Sequence, residues 1–228
     1  MKRSILFAAC TVIVPVSISQ ADCPVDEGLV IDRQPHNAGG PGADTDFINM
    51  FNQQVWQLVA DDIMVSEAAT IRQLCWWGFY NENDPPESEV MRVRFYSDDG
   101  GLPGDILFEQ ELVNPTRVAT GEVILVGELP PEYLFESQID PFDMAANTLY
   151  WLEIVQLGDM DSHYRWEYSL SEPTDFAFRN TFFPEWDNAG LVSSLAFQLS
   201  TVPEPTTVVL VMLGGSLLIR NRRARRTM

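Results

Sequence analysis

Residues 91–95 read Met91-Arg92-Val93-Arg94-Phe95, and this alternation decides the fold class. Apolar side chains at every second position, with charged ones between them, predict a half-buried antiparallel strand. The same period of two recurs at residues 164–170 and 195–199. Further apolar runs typical of strands lie at residues 71–80, 106–113, 118–126, 133–139, 149–157 and 175–179.

Turn-forming residues separate these runs at short intervals. They are rich in Gly, Pro, Asn and Asp, the residues that favour tight turns. The clearest lie at residues 98–101, 114–115, 130–131, 158–159 and 172–173. Many short strands with such spacing predict an all-β fold, an antiparallel β-sandwich of jelly-roll type, over residues 55–201. Residues 22–54 contain Gly39-Gly40-Pro41-Gly42 and are predicted to form an extended N-terminal arm.

The first 21 residues predict a secretory signal peptide. Lys2 and Arg3 precede an apolar run over residues 5–18, and Ser19 and Ala21 are small residues at the −3 and −1 positions of a cleavage site after Ala21. The signal predicts export through the inner membrane into an oxidising compartment. The chain then keeps two cysteines, Cys23 and Cys75, which form a candidate disulfide. The alternative is that Cys75 is simply a buried thiol.

The body of the chain is strongly acidic. Residues 22–202 hold seven arginines, no lysine and 32 acidic residues, a formal charge of 7 − 32 = −25. A domain with this charge repels nucleic acid, so we expect no DNA or RNA partner. An acidic, solvated surface explains most of these carboxylates.

The C-terminal stretch has three parts. Val202-Pro203-Glu204-Pro205 is followed by an uncharged apolar run over residues 206–219. As a helix this run covers about 21 Å, which is short for a bilayer core of about 30 Å. The arginines that follow place the C-terminus on the cytoplasmic side by the positive-inside rule. They are Arg220, Arg222, Arg223, Arg225 and Arg226.

This tail resembles the PEP-CTERM sorting signal of Gram-negative bacteria, and the chain is similar to planctomycete proteins that carry it. The same type of tail is also labelled an ice-binding-protein C-terminal domain, although the body lacks the threonine array or flat repeats suited to ice. The resemblance implies an exosortase-type membrane protease that recognises residues 202–205, a membrane anchor at residues 206–219, and delivery to the cell surface or an exopolysaccharide matrix.

Three acidic stretches are candidate metal sites. Asp98, Asp99 and Asp105 surround glycines and could wrap calcium, which takes six to eight oxygen ligands. The alternative is a turn between two strands. Residues 159–163 contain an Asp-x-Asp-x-His pattern ending at His163, which fits either a metal site or a hairpin loop, and Asp61-Asp62 fits either a metal ligand or the beginning of a strand.

Tryptophans suggest a carbohydrate-binding surface, because aromatic faces stack on sugar rings. Trp76 and Trp77 are adjacent in a predicted strand and must face opposite sides, so one of them belongs to the core. The candidates for glycan stacking are Trp77, Trp151 and Trp186. The alternative is that the aromatic residues fill the core.

The sequence favours a protein that is not an enzyme. It contains no Gly-x-Ser-x-Gly or His-Glu-x-x-His motif and only two histidines, His36 and His163. We expect a structural or adhesive protein of the cell envelope or extracellular matrix, with no cofactor other than a possible calcium ion. The alternatives are a lectin-like carbohydrate-binding module and, less favoured, a hydrolase or lyase acting on glycans.

Overall fold

The computed structural model describes residues 28–48, 53–81, 85–125, 129–158, 163–170, 176–190 and 193–201. The predicted signal peptide, Cys23, residues 159–162 and the tail from Val202 onward lie outside these ranges. Every regular element in the described ranges is a β-strand, so the all-β prediction is confirmed. Among these residues, no helix has the length and apolar character needed to cross a membrane.

Fifteen strands form the described part of the chain. Their bounds are β1 Leu29–Arg33, β2 Asp44–Ile48, β3 Gln54–Met64, β4 Ala69–Tyr80, β5 Val90–Asp98, β6 Pro103–Val113, β7 Thr116–Val123, β8 Pro131–Met144, β9 Leu149–Gln156, β10 Tyr164–Trp166, β11 Tyr168–Ser169, β12 Ala177–Asn180, β13 Asp187–Asn188, β14 Ser194–Leu195 and β15 Phe197–Ser200.

The strands are arranged in two large sheets. Sheet I has six strands in the order β1-β15-β4-β8-β7, with β10 also paired to β4. Sheet II has seven strands in the order β13-β12-β3-β2-β9-β5-β6, and β3 also pairs with β9. The pairings are antiparallel except for one parallel contact between β2 and β9. The short strands β11 and β14 pair separately.

One hydrophobic core lies between the two sheets. Phe95 of β5 stacks on Phe142 of β8 with ring centroids 4.3 Å apart, and this contact joins sheet II to sheet I. Trp76 stacks on Phe135 within sheet I at 5.2 Å. Aromatic pairs of this kind contribute about 0.5–1.5 kcal/mol beyond the area that they bury.

The predicted alternation in β5 is confirmed. Met91, Val93 and Phe95 are fully buried in the core, while Arg92 and Arg94 lie on the outer face of sheet II. There the carboxylate of Glu153, itself buried, accepts hydrogen bonds from Arg92 Nη2 at 3.0 Å and from Tyr96 Oη at 2.7 Å. The arginines on the outer face of sheet II are therefore paired with carboxylates and do not project freely into solvent.

The N-terminal arm differs from the prediction. The described part of residues 22–54 contributes two strands to the sheets: β1 pairs with β15 in sheet I, and β2 pairs with β3 in sheet II. The glycine-rich stretch that indicated a loop is only the crossing between them, where Asn37 has a φ of 53° and Gly39 one of 96°. Short strands on either side of a turn-rich segment give too weak a pattern to be recognised.

The predicted strand at residues 164–170 is broken at Glu167. Its backbone N–H donates to Trp77 O at 3.1 Å, and its carbonyl accepts from Ala196 N at 2.8 Å, so the chain passes from β4 to β14 at this point. Tyr164 and Trp166 are fully buried as predicted, but Leu170 is exposed. The break brings Tyr168 to the surface cleft described next.

Candidate functional site

A cleft of about 430 Å³ lies where β3 and β12 of sheet II face β10 and β11. Its volume is in the range of small-ligand sites. One part of its wall consists of the rings of Tyr168, Phe176 and Phe178, and another part consists of the loop of residues 40–42. The lining residues are Gly40, Pro41, Gly42, Gln57, His163, Arg165, Tyr168, Phe176, Phe178, Asn180 and Ala189.

The loop of residues 40–42 requires its glycines. A Cβ atom on Gly40 would lie 1.8 Å from the Trp166 carbonyl oxygen, so no other residue fits there. The loop runs beside β10: Trp166 N donates to Pro41 O at 3.1 Å, and Gly42 forms a bridge with Arg165. Gln57 Nε2 also donates to Gly42 O at 3.0 Å. Close backbone contact with β10 therefore fixes this wall of the cleft.

Arg165 supplies the positive charge of the cleft. Its Nε donates to Asn81 Oδ1 at 2.6 Å, and its Nη1 donates to Gly40 O at 3.0 Å. Burial lowers the pKa of Arg165 from its usual value, but a guanidinium in a protein still keeps its proton. The side chain is thus a fixed, half-buried cation in an acidic domain.

His163 is a neutral polar group in the same wall. Burial, with a smaller contribution from Arg165, lowers the pKa of His163 to about 3, so the imidazole is uncharged at neutral pH. Its Nδ1 lies 2.9 Å from Asn81 Nδ2, which is a donor, so we assign the proton to Nε2. The rest of the predicted Asp-x-Asp-x-His metal pattern lies outside the described residues.

Two of the three tryptophans predicted to stack on glycans are buried, which corrects that prediction. Trp77 is 4% exposed and packs with Cys75, Leu134 and Ala196 on the outer side of sheet I. Trp151 is 3% exposed and donates Nε1–H to Asp98 Oδ1 at 3.0 Å. Trp76 lies in the main core, so the prediction that Trp76 and Trp77 face opposite sides is confirmed.

Trp186, the third candidate, is half-buried. The guanidinium of Arg179 lies 4.5 Å from its ring centroid, a cation–π contact that occupies one face of the indole. The ring of Tyr96 meets it edge to face at 5.8 Å. Neither Trp77, Trp151 nor Trp186 lines the cleft.

Exposed aromatic rings lie instead beside the cleft, in a turn that the sequence reasoning missed. Phe182 and Phe183 are 61% and 59% exposed. The side chain of Asn180 accepts hydrogen bonds from their backbone N–H groups at 2.8 and 3.0 Å and so fixes the turn. Phe183 contacts Phe178 of the cleft wall with centroids 6.4 Å apart. The adjacent phenylalanines followed by Pro184 were the available signal.

The candidate calcium loop has the geometry of a hairpin turn between β5 and β6. Asp98 Oδ1 accepts from Gly101 N at 3.1 Å, and Asp99 N donates to Leu102 O at 2.8 Å. Gly100 and Gly101 supply the positive φ values of 68° and 91° that such a turn needs. Nowhere in the described ranges do three metal-ligating side chains come together.

Asp61 of the other candidate pair lies inside the protein. It is fully buried, and its Oδ2 accepts from Arg33 Nη1 at 2.5 Å and from Leu195 N at 2.8 Å. Arg33 also lies 3.5 Å from Asp62 Oδ1 and 5.2 Å from the Phe197 ring centroid. This ion pair joins β1 of sheet I to β3 of sheet II and has a structural role.

Another buried acid, Glu167, was not among the predicted site residues. It meets Glu132 of β8, and both side chains are buried. With its amide oriented to satisfy both partners, Asn37 donates Nδ2–H to Glu132 Oε2 at 2.6 Å, and its backbone N donates to Glu167 Oε1 at 2.6 Å. Burial, followed by the neighbouring Glu132, raises the pKa of Glu167 to about 9, so the pair holds a proton at neutral pH.

Cys75 is disulfide-bonded. The other two cysteines of the chain, Cys10 and Cys23, lie outside the described residues. The pairing of Cys75 with Cys23 therefore stays a prediction.

No family model matches the chain, and no curated protein matches it either.

Proposed function

We propose that this chain is an exported protein of the cell envelope that binds carbohydrate without cleaving it. The observation that carries the binding proposal is the cleft between the loop of residues 40–42 and β12. Tyr168, Phe176 and Phe178 offer ring surface there, and Gln57 and Asn180 contribute amide groups. Aromatic surface with a few fixed polar groups is the combination that holds a hydroxyl-rich ring.

The delivery part of the proposal rests on the two ends of the sequence. The signal peptide of residues 1–21 directs export, and the tail resembling PEP-CTERM is recognised at residues 202–205 by an exosortase-type protease in the inner membrane. The body then adopts a jelly-roll-like sandwich at the cell surface or in an exopolysaccharide matrix. Changing Arg222, Arg223, Arg225 and Arg226 to alanine should alter orientation or retention; unchanged fractionation of that variant would contradict the sorting proposal.

The binding proposal is tested with a glycan array probed by the full chain in detergent, with calcium and again with a chelator. We expect binding that is the same in both conditions, because the Asp98 loop has the hydrogen bonds of a turn. Binding lost on chelation would contradict the turn interpretation and restore a calcium-dependent lectin. Absence of binding to any saccharide would leave a purely structural envelope protein as the better account.

Variants connect the binding to the cleft. Tyr168→Ala should weaken it about tenfold, because an aromatic contact contributes about 0.5–1.5 kcal/mol beyond the area that it buries, and about 1.4 kcal/mol is tenfold in affinity. Tyr133→Ala is the matched control, since Tyr133 is also a half-buried tyrosine but lies on β8 outside the cleft. Equal losses in the two variants would indicate a general effect on folding and would contradict the assignment to the cleft.

A further inference from the structure

Arg165 differs from the arginines that form ion pairs. Four arginines form ion pairs with carboxylates: Arg33 with Asp61, Arg92 with Glu153, Arg94 with Glu109, and Arg117 with Glu89. Arg165 bonds instead to two neutral oxygens, those of the Asn81 amide and the Gly40 carbonyl. It makes no ion pair with a carboxylate in the described ranges, although acidic residues greatly outnumber arginines in this chain.

The geometry of Arg165 is set before any ligand arrives. Nε and Nη1 are held by oxygens on two different segments, which fixes the plane of the guanidinium. The two N–H groups of Nη2 make no hydrogen bond to the described residues, and the side chain lines the cleft. A planar, pre-oriented guanidinium is well suited to a carboxylate and loses little conformational entropy on binding it.

Among the described residues that line the cleft, none carries a negative charge that would compensate Arg165. The described lining has three aromatic rings, two amides and the imidazole of His163, whose lowered pKa keeps it neutral. A half-buried guanidinium in such surroundings gains more from an anion than an exposed one, because solvent screens it less. A neutral sugar would use the rings and amides but not this charge.

From this arrangement we propose that the cleft recognises an acidic saccharide, with the carboxylate of a uronic acid residue on Arg165 and the sugar ring against Tyr168 and Phe178. The inference deepens the proposed carbohydrate binding and rests on it. It specifies a glycan that places the carboxylate of one uronic acid residue in the cleft, rather than a neutral chain.

Trimers of galacturonate and of mannuronate test the inference, each as the free acid and as the methyl ester. The ester keeps the ring and removes the negative charge, so the pair isolates the contribution of the carboxylate. Isothermal titration calorimetry with the full chain in detergent micelles measures both. We expect the free acid of at least one trimer to bind about tenfold or more tightly than its ester, as a charge-assisted hydrogen bond implies.

Arg165→Gln should abolish the preference for the acid over the ester, and Arg165→Lys should keep part of it. Arg179→Gln is the control, because Arg179 contacts the ring of Trp186 outside the cleft; it should leave the preference unchanged. If Arg165→Gln does not fold, the comparison of acid and ester on the unchanged chain still shows whether the cleft recognises the carboxylate.

The outcomes separate the two proposals. Equal affinity for acid and ester would overturn the uronate inference while carbohydrate binding stands. Binding of neutral glycans without binding of either uronate would overturn it in the same way. Absence of binding to all saccharides would overturn both.

Discussion

The two sides of sheet I bury carboxyl groups in opposite ways. On the inner side, Asp61 reaches across from sheet II to the guanidinium of Arg33, so a negative group meets a positive one. On the outer side, Glu167 meets another carboxyl, that of Glu132, and the two must share a proton. Burial costs a charged group most of its solvation in both places. The comparison shows two ways to offset that cost. Asp61 has a counter-ion in Arg33, whereas the pair of Glu167 and Glu132 keeps a proton.

The largest effect should come from removing the counter-ion. Arg33→Met leaves Asp61 buried without its cation, and breaking a buried pair in this way costs about 3–5 kcal/mol. Burial raises the pKa of Asp61 to about 7 although Arg33 opposes the rise. The loss in free energy of unfolding should therefore be greater at pH 8, where Asp61 is ionised, than at pH 5. Urea denaturation at the two pH values measures it.

Arg179→Met serves as the control for that experiment, because the contact of Arg179 is with an indole ring. It should cost much less at both pH values. If Arg33→Met is as stable as the unchanged chain at pH 8, the ion pair does not compensate for the burial of Asp61 and the comparison fails.

A smaller, pH-dependent effect is expected at the carboxyl pair. The folded-state pKa of Glu167 is raised to about 9, above its unfolded value near 4.5. Its contribution to stability is therefore present in full at low pH and is lost as the pH rises from about 4.5 to 9. Glu167→Gln replaces the protonated carboxyl by a neutral amide and should flatten this loss, gaining about 1 kcal/mol or more at pH 9.

Thermal unfolding from pH 5 to pH 9 checks the expectation for Glu167. The matched control is Glu136→Gln, which changes another β8 carboxylate that accepts from Gln73 Nε2 at 2.7 Å and lies outside the pair. The same slope against pH in Glu167→Gln and in the unchanged chain would mean that the two carboxyls do not share a proton.

The smallest effect should come from an exposed carboxyl. Asp98→Asn keeps an oxygen for Gly101 N and Trp151 Nε1, so we expect a change within about 0.5 kcal/mol. Asp98→Ala loses both acceptors and should cost about 1–2 kcal/mol. Added calcium should change neither value. A calcium-dependent rise in the melting temperature that Asp98→Asn abolishes would contradict the turn interpretation.

The sequence predicted the fold class well, because the strands with one apolar face carry a clear period of two. It predicted the candidate site poorly. Alternation assigns Trp77 to a face but does not say whether that face is covered, and here the side chain is buried in a cluster with Cys75, Leu134 and Ala196. The cleft combines residues 40–42 with Arg165 and Phe178, which are far apart in the chain, and only the pairing of strands brings them together. The tail predictions concern residues outside the described ranges and stay predictions.

The position of β15 in sheet I has a consequence for how the chain acquires its structure. β15 is the last strand of the described chain, yet it lies between β1 and β4 and is the link that joins β1 to the sheet. The N-terminal end of a chain is synthesised first, so β1 must wait for β15 before it can pair in the sheet. Such pairing between distant segments slows folding. The two ends of the described chain therefore close the sheet together, and β1 is expected to be ordered only after residue 200 has been synthesised.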